Sequence, residues 1–390
     1  MTYLDHAATT DVRPEVIEAM TSVLATTGNA SSLHAAGRNA RKQVEVAREQ
    51  VAQALDCLPS EVVFTSGGTE ADNLAIKGLY WSRRAGDARR VRVLASAVEH
   101  HAVLDPVQWL VDFESAVVEW IPVDADGVID VEWLRAAVER EPETVALISV
   151  MWANNEVGSV QPIESVVSIA AEFGIPVHSD AVQAVGQLPV SFRASKLDAM
   201  TVSGHKLGGP MGVGALILKR EHKPVPVLHG GGQEREVRSG TLSTHLIVGF
   251  GRAVSLAVAE REAHAAHVSA LRDRLIESVS EAVSGAVLRG SASRLPGNAH
   301  FTFDGCEGDA LLMLLDAAGV QVSTGSACTA GIPQPSHVLL AMGVPVGDAV
   351  GALRFSLGRT SRSEDVDNLV MALPAAVDRA RRAGKALKSR

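Results

Sequence analysis

The sequence predicts an α/β protein: a mostly parallel sheet with helices on its faces, followed by a smaller α+β unit. Three observations predict it. Apolar runs of strand length alternate with helix-period segments through much of the first 220 residues, the pattern of strands joined by crossover helices. Gly67-Gly68-Thr69, His100, Asn155, Asp180 and Ser203 each fall just after a predicted strand, and open α/β sheets collect ligands outside the carboxyl ends of their strands. Finally, 390 residues exceed what one hydrophobic core usually supports, so two domains are expected.

The elements follow in order. Val62-Val63-Phe64 reads as a strand, and Thr69 to Ala85 as a helix with Ala71, Leu74, Ala75, Gly78 and Leu79 on one face. Strands are expected at Val91 to Leu94, Val117 to Val123 and Val145 to Met151. A helix opens near Pro162 and ends at Phe173-Gly174, with proline near its start and glycine past its end. Ile175 to His178, Ala199 to Val202 and Val213 to Leu218 bring the sheet to seven strands. From about Leu246 to Val283 a long Ala/Glu/Arg-rich stretch reads as helix, the link to a second domain. Beyond it come a strand at Leu288, a strand at Phe301-Thr302-Phe303, a helix from Asp309 to Ala318 and the loop around Cys328. A strand from Leu353 to Leu357 and a helix from about Glu364 finish the chain. The expected division is an N-terminal segment, 1–15, joining the small domain; a large domain, 16–250; and a small C-terminal domain, 251–390, carrying the Cys328 loop.

Composition narrows the class. A net charge of −9 and a pI near 5.8 argue against a nucleic-acid binder, which shows a basic face. The basic terminus (Arg381, Arg382, Lys385, Lys388, Arg390) reads as a solvated helix end. Met1-Thr2-Tyr3-Leu4-Asp5-His6 has no basic or apolar leader region, and no run approaches 18 apolar residues, so neither a signal peptide nor a membrane span is expected. Cys57, Cys306 and Cys328 form no metal-ligand spacing, and their odd count and wide separation argue for a reducing compartment. Cytoplasm is the expectation.

The chemistry concentrates in Asp180-Ala181-Val182-Gln183 and, with Lys206 26 positions after Asp180, in Ser203-Gly204-His205-Lys206. A lysine amine can form a Schiff base, a carboxylate can keep a pyridine nitrogen protonated, and Ser, His and backbone amides can bind phosphate. Together they ask for pyridoxal phosphate (PLP). Each residue also has a plainer reading. Asp180 alone reads as a helix cap and Lys206 alone as a surface lysine. Thr65-Ser66-Gly67-Gly68-Thr69 reads as a phosphate cradle at a helix N-terminus or as an ordinary glycine turn capped by Thr69. His100-His101 offers two solvent-facing rings or one that stacks on a cofactor and moves protons. Arg354, inside the apolar strand Leu353-Arg354-Phe355, reads as a structural ion pair or a bidentate carboxylate clamp. Cys57 and Cys306 read as structural. Cys328 differs: Gly325, Ser326, Ala327, Ala330 and Gly331 leave its loop little bulk to anchor it, which suits a thiol that travels to a substrate.

Segments along nearly the whole chain resemble the NifS/IscS-like cysteine desulfurases, within the class V aminotransferase group of fold-type I PLP enzymes. They run from Tyr3-Leu4-Asp5-His6-Ala7-Ala8-Thr9-Thr10 through Gly28-Asn29-Ala30-Ser31-Ser32 and Asn154-Asn155-Glu156-Val157-Gly158. Gly230-Gly231-Gly232-Gln233-Glu234, Arg238-Ser239-Gly240-Thr241, Gly325-Ser326-Ala327-Cys328 and Arg354-Phe355-Ser356-Leu357-Gly358-Arg359 follow. The long GSACT-type cysteine segment is similar to the class I branch. The resemblance implies the PLP-dependent transferase fold, with Lys206 joined to PLP, His100 over the ring, Asp180 at the pyridine nitrogen and Gln183 at the phenolate oxygen. Gly68, Thr69, Ser203 and His205 would hold the phosphate, and Thr241 would reach it from the neighbouring subunit of a homodimer. Asn155 and Arg354, with Asn29, would meet the substrate carboxylate.

The implied activity is removal of sulfur from L-cysteine, giving L-alanine and a Cys328 persulfide. Acceptor proteins then take the sulfur for iron–sulfur assembly or tRNA thiolation. No intrinsic metal is expected, although Cys328 could ligate a cluster transiently. Two other readings stay open: selenocysteine lyase or another class V PLP transferase, and a PLP-binding partner protein whose main role is docking.

Overall fold

The computed structural model describes residues 1–325 and 335–388; Cys328 lies outside the described residues. Twelve strands are described: β1 (Thr2–Tyr3), β2 (Val62–Thr65), β3 (Arg92–Ser96), β4 (Val117–Ile121), β5 (Val145–Ser149), β6 (Val177–Asp180), β7 (Ala199–Ser203), β8 (Gly214–Leu218), β9 (Ala286–Arg289), β10 (Asn298–Phe303), β11 (Val320–Gln321) and β12 (Ala352–Ser356).

Seven of them form one sheet in the order β2-β8-β7-β6-β5-β3-β4. It is parallel except at β8, which runs antiparallel to both β2 and β7. Every residue of β3, β5, β7 and β8 is buried. Helices therefore cover both faces, which is why these strands read as continuous apolar runs rather than as alternation. β4 is one of the two edge strands. Its outward positions are partly open, and Glu119 there binds Arg92 at 2.6 Å and Arg140 at 2.5 Å, charges that discourage pairing with another chain.

The second sheet, β12-β10-β9, is antiparallel. The N-terminus reaches it across the molecule: β1 pairs in parallel with β11, and the His6 N–H donates to the Ser356 carbonyl at 3.2 Å. Leu4 is accordingly buried in the apolar cluster of Phe301, Phe303, Leu353 and Phe355, separate from the main core around β5, β6 and β7.

One element departs from the sequence reading. The stretch from Leu246 to Val283 is two helices, Thr244–Ala259 and Arg261–Ala282, meeting at Glu260. Arg13 draws the Glu260 carboxylate to 2.6 Å. No glycine or proline marks the joint in the sequence, so the stretch reads as one helix. Among the described residues no helix is long and apolar enough to cross a membrane.

Candidate active site

Five strand ends of the large sheet deliver polar side chains to one cavity of about 370 Å³. After β2 the chain turns at Gly67, whose φ of +156° favours glycine, into the helix Gly68–Gly86. Gly67 supplies no side-chain cap, so the helix start presents backbone and the Thr69 side chain to the cavity. A Cβ on Gly68 would sit 3.1 Å from Val182 Cγ2 and 3.6 Å from Ser203 Cβ. The absence of a side chain keeps that floor open.

His100 caps the next helix, His101–Glu114; its Nδ1 accepts from the Ala102 N–H at 3.0 Å. His100 lines the cavity, and desolvation of its ring, with Lys206 and His101 nearby, lowers its pKa to about 4. A neutral ring that accepts at Nδ1 carries its proton on Nε2. His101 turns instead toward Asp105, 2.9 Å away.

After β5, Asn154 shapes the loop. Its side-chain oxygen accepts from the Glu156 and Val157 N–H groups, leaving Asn155 to line the cavity. Asp180 ends β6, and rather than capping a helix it accepts from the Val182 N–H at 2.8 Å. Burial, reinforced by the negative charge of Asp72, raises its pKa to about 7. The turn that follows brings Gln183 to the same cavity, where its amide donates to the Ala7 carbonyl at 2.9 Å.

β7 ends at Ser203 and passes into a tight turn, Gly204–Lys206. The Lys206 ammonium donates to the Ala7 and Ala8 carbonyls at 2.5 and 2.7 Å. Burial, then the charge of Arg354, lowers its pKa to about 8, so an appreciable fraction is free amine near neutrality. His205 Nδ1 lies 3.2 Å from the Thr9 hydroxyl, and burial brings its pKa down to about 4.

Arg354 enters from β12, across from the large sheet. Its Nη1 donates to the Asn155 carbonyl at 2.7 Å and Nη2 to Asp5 at 2.6 Å. Its Nε is buried without a partner among the described residues.

Gly68, Thr69, His100, Asn155, Asp180, Gln183, Ser203, His205, Lys206 and Arg354 thus share one cavity. Asn29 and Thr241 do not line it; both are exposed, and Asn29 accepts from the Ser31 N–H at 2.9 Å. Cys57 and Cys306 lie elsewhere and are buried, and burial pushes the Cys57 thiol up to about 12 and Cys306 upward. The structure adds groups that the sequence did not single out as site residues. Asp5 binds Arg354, while Asp72 and Glu156 are carboxylates buried in the cavity wall. The signal for Asp72 was available: an acid in a helix face otherwise read as apolar.

These residues fit PLP. A buried amine of lowered pKa, a buried carboxylate with one oxygen committed to backbone, a glycine floor at a helix start and hydroxyl and imidazole donors suit an aldehyde, a ring nitrogen and a phosphate. A model of the class-V aminotransferase family matches residues 2–369. The chain is 57% identical over 388 residues to the IscS-like cysteine desulfurase of Mycobacterium tuberculosis, covering 99% of this chain and 98% of the relative. It is 42% identical to the cysteine desulfurase IscS of Dictyoglomus turgidum, covering 97% and 95%. Among solved structures, one described as a NifS-like protein superposes with a TM-score of 0.89 at 35% identity, covering 97% of this chain and all of that one. The NifS-like protein of Rickettsia africae superposes with a TM-score of 0.87 at 31% identity, covering 97% and 99%.

Proposed function

This chain belongs to the class-V aminotransferase family, among its PLP-dependent cysteine desulfurases, and from that membership we propose how its own residues hold PLP and take sulfur from L-cysteine. The observation that carries the reading is the convergence of Lys206, Asp180, Gln183 and His100 on one cavity with Arg354 opposite. Bound there, PLP supplies an electron sink for the charge that develops when the substrate loses its Cα proton.

Lys206 would anchor the cofactor, and its free amine would serve as the base for the Cα proton. Asp180 would hold the proton of the ring nitrogen, and Gln183 would donate to the phenolate oxygen. Gly68, Thr69, Ser203 and His205 receive the phosphate. Arg354 and Asn155 orient the substrate carboxylate, whereas Asn29 does not line the cavity. His100, protonated at Nε2, would donate to the substrate sulfur.

Cys328 acts as thiolate. Its sulfur bonds to the substrate sulfur as the substrate Cβ–S bond breaks. That bonding pair stays with the carbon skeleton, which is protonated and leaves as L-alanine. The persulfide left on Cys328 then passes its outer sulfur to an acceptor protein, for iron–sulfur assembly or tRNA thiolation. We further assign the chain to a homodimer in which Thr241, exposed and away from its own cavity, serves the neighbouring site. The free thiols Cys57 and Cys306 favour a reducing, cytoplasmic setting.

The test is incubation with L-cysteine and a thiol reductant, following sulfide and alanine. Cys328→Ala is expected to abolish sulfide release while PLP stays bound; persistent release overturns the role of Cys328. Faster turnover of selenocysteine than of cysteine would reassign the substrate.

A further inference from the structure

Asp72 lies in the second turn of the helix Gly68–Gly86, four residues after the proposed phosphate floor. Its neighbours Ala71, Leu74 and Ala75 are buried and apolar, as expected for a face packed on a sheet. Asp72 is itself only 1% exposed, and it lines the same cavity as Asp180. A carboxylate in such a place is expensive unless a cation or full hydrogen bonding compensates it.

The protein supplies little compensation. Among the described residues, Oδ1 of Asp72 has no hydrogen-bond partner. The nearest cation candidate is His178, whose Nε2 is 3.4 Å away. That ring is already engaged by Ser149 at Nδ1, 2.9 Å, and by Thr201 at Nε2, 3.0 Å, and burial takes its pKa down to about 4, so it is neutral. The Thr201 hydroxyl also serves the Asp72 carboxylate. Glu99, from the turn after β3, adds no positive charge; it is fully buried, accepts from the Met151 N–H at 2.5 Å, and burial raises its pKa well above the carboxylate range. His100 and His205 are neutral, and Lys206 faces Ala7 and Ala8. The cavity wall around Asp180 therefore holds a second carboxylate awaiting a cation.

We propose that Asp72 is a positioning residue that acts through Asp180: the two carboxylates together hold the proton on the cofactor's ring nitrogen. This rests on PLP occupying the cavity, as proposed above. Asp180 makes the direct contact. Asp72 adds a negative charge in a low-dielectric wall, strengthening the hold on that proton and favouring the cationic ring over the neutral one. The influence runs from Asp72 to Asp180 in the protein, where the Asp72 charge raises the pKa of Asp180, while burial raises that of Asp72 to about 7.

The test uses full-length protein and two readouts that need no turnover: the pH titration of the bound cofactor's visible absorbance, and the Kd of PLP for the apoprotein. Asp72→Asn keeps the side chain's shape and removes its charge. The absorbance midpoint is expected to move to lower pH by about one unit, and PLP to bind about tenfold more weakly, the effect of one nearby charge in a buried site. A folded Asp72→Asn protein with wild-type midpoint and Kd overturns the inference and leaves Asp72 a structural residue. If wild-type protein takes up no PLP, the reading of the cavity falls first, and this inference with it. Asp72→Ser, measured the same way, decides the matter if the Asn variant does not fold.

Discussion

The guanidinium of Arg354 donates to the carboxylate of Asp5 at 2.6 Å, a bond that closes 349 positions of sequence. It joins the N-terminal segment to β12, and through the Asn155 carbonyl, 2.7 Å away, to the loop after β5. Three distant parts of the chain thus orient one cation at the cavity wall, before any substrate arrives. A fork aligned in this way suits a planar carboxylate.

Arg354→Lys tests that alignment. An ammonium is a point charge and cannot reproduce the fork. The KM for L-cysteine is expected to rise ten- to hundredfold, as for loss of a charged hydrogen bond of about 1.5–3 kcal/mol, with a much smaller change in kcat. Steady-state sulfide release measures both constants. An unchanged KM would remove Arg354 from carboxylate binding.

Lys206 sets a pH dependence. Only the free amine attacks an aldehyde, and burial together with Arg354 lowers this amine's pKa to about 8. Uptake of PLP by apoprotein, followed by absorbance, should accelerate with pH up to about 8 and level off above it. Below that point the rate should fall about tenfold per pH unit. A flat profile between pH 6 and 9 would contradict the assignment. Lys206→Arg should leave no cofactor that borohydride can fix to the chain.

Gly68→Ala probes the cavity floor. The added methyl would stand 3.1 Å from Val182 Cγ2, on the surface where the phosphate is proposed to rest. Alanine suits a helix better than glycine by about 1 kcal/mol, so apoprotein stability should change little. PLP affinity should fall about tenfold, roughly 1.4 kcal/mol, by equilibrium titration. Equal losses in stability and affinity would show general misfit instead.

Buried histidines predict acid sensitivity. Burial lowers the pKa of His178 to about 4 and of His300 to about 3, against about 6.5 in an unfolded chain. Between those values the unfolded state binds more protons, so stability is full above pH 6.5 and declines as the pH falls toward 4. His300 is fully buried, and neither ring nitrogen has a hydrogen-bond partner among the described residues. His300→Leu should therefore flatten the decline, by roughly 2–3 kcal/mol near pH 4.5, in urea unfolding at pH 7 and pH 4.5. An unaltered pH slope would assign the acid limb to other groups.

Legibility followed range. Thr69, His100, Asn155, Asp180, Ser203 and Lys206 could be picked out because each follows a strand of a mostly parallel sheet, and the strand pattern is written locally in apolar runs. The helix joint at Glu260 could not, because no glycine or proline marks it, and the residue that pairs with Glu260, Arg13, lies far back in the chain. Asp5 could be seen only as part of a family-like segment. Nothing near it in sequence signals that Arg354 is its partner, and Glu156 likewise meets the Ser336 hydroxyl at 2.5 Å across 180 positions.

The amino-acid order by itself determined the α/β class, the strand ends where chemistry gathers and the kinship that Lys206 and Cys328 share with cysteine desulfurases. Periodicity, glycine turns and short motifs are local properties, and local physics reads them. Tertiary structure alone decided how charge is distributed around the cavity: that Asp180 sits beside a second buried carboxylate, and that Lys206 shares its wall with Arg354. The physical reason is that desolvation and Coulomb interactions depend on distance in space, and burial makes them strong only once distant segments have packed together.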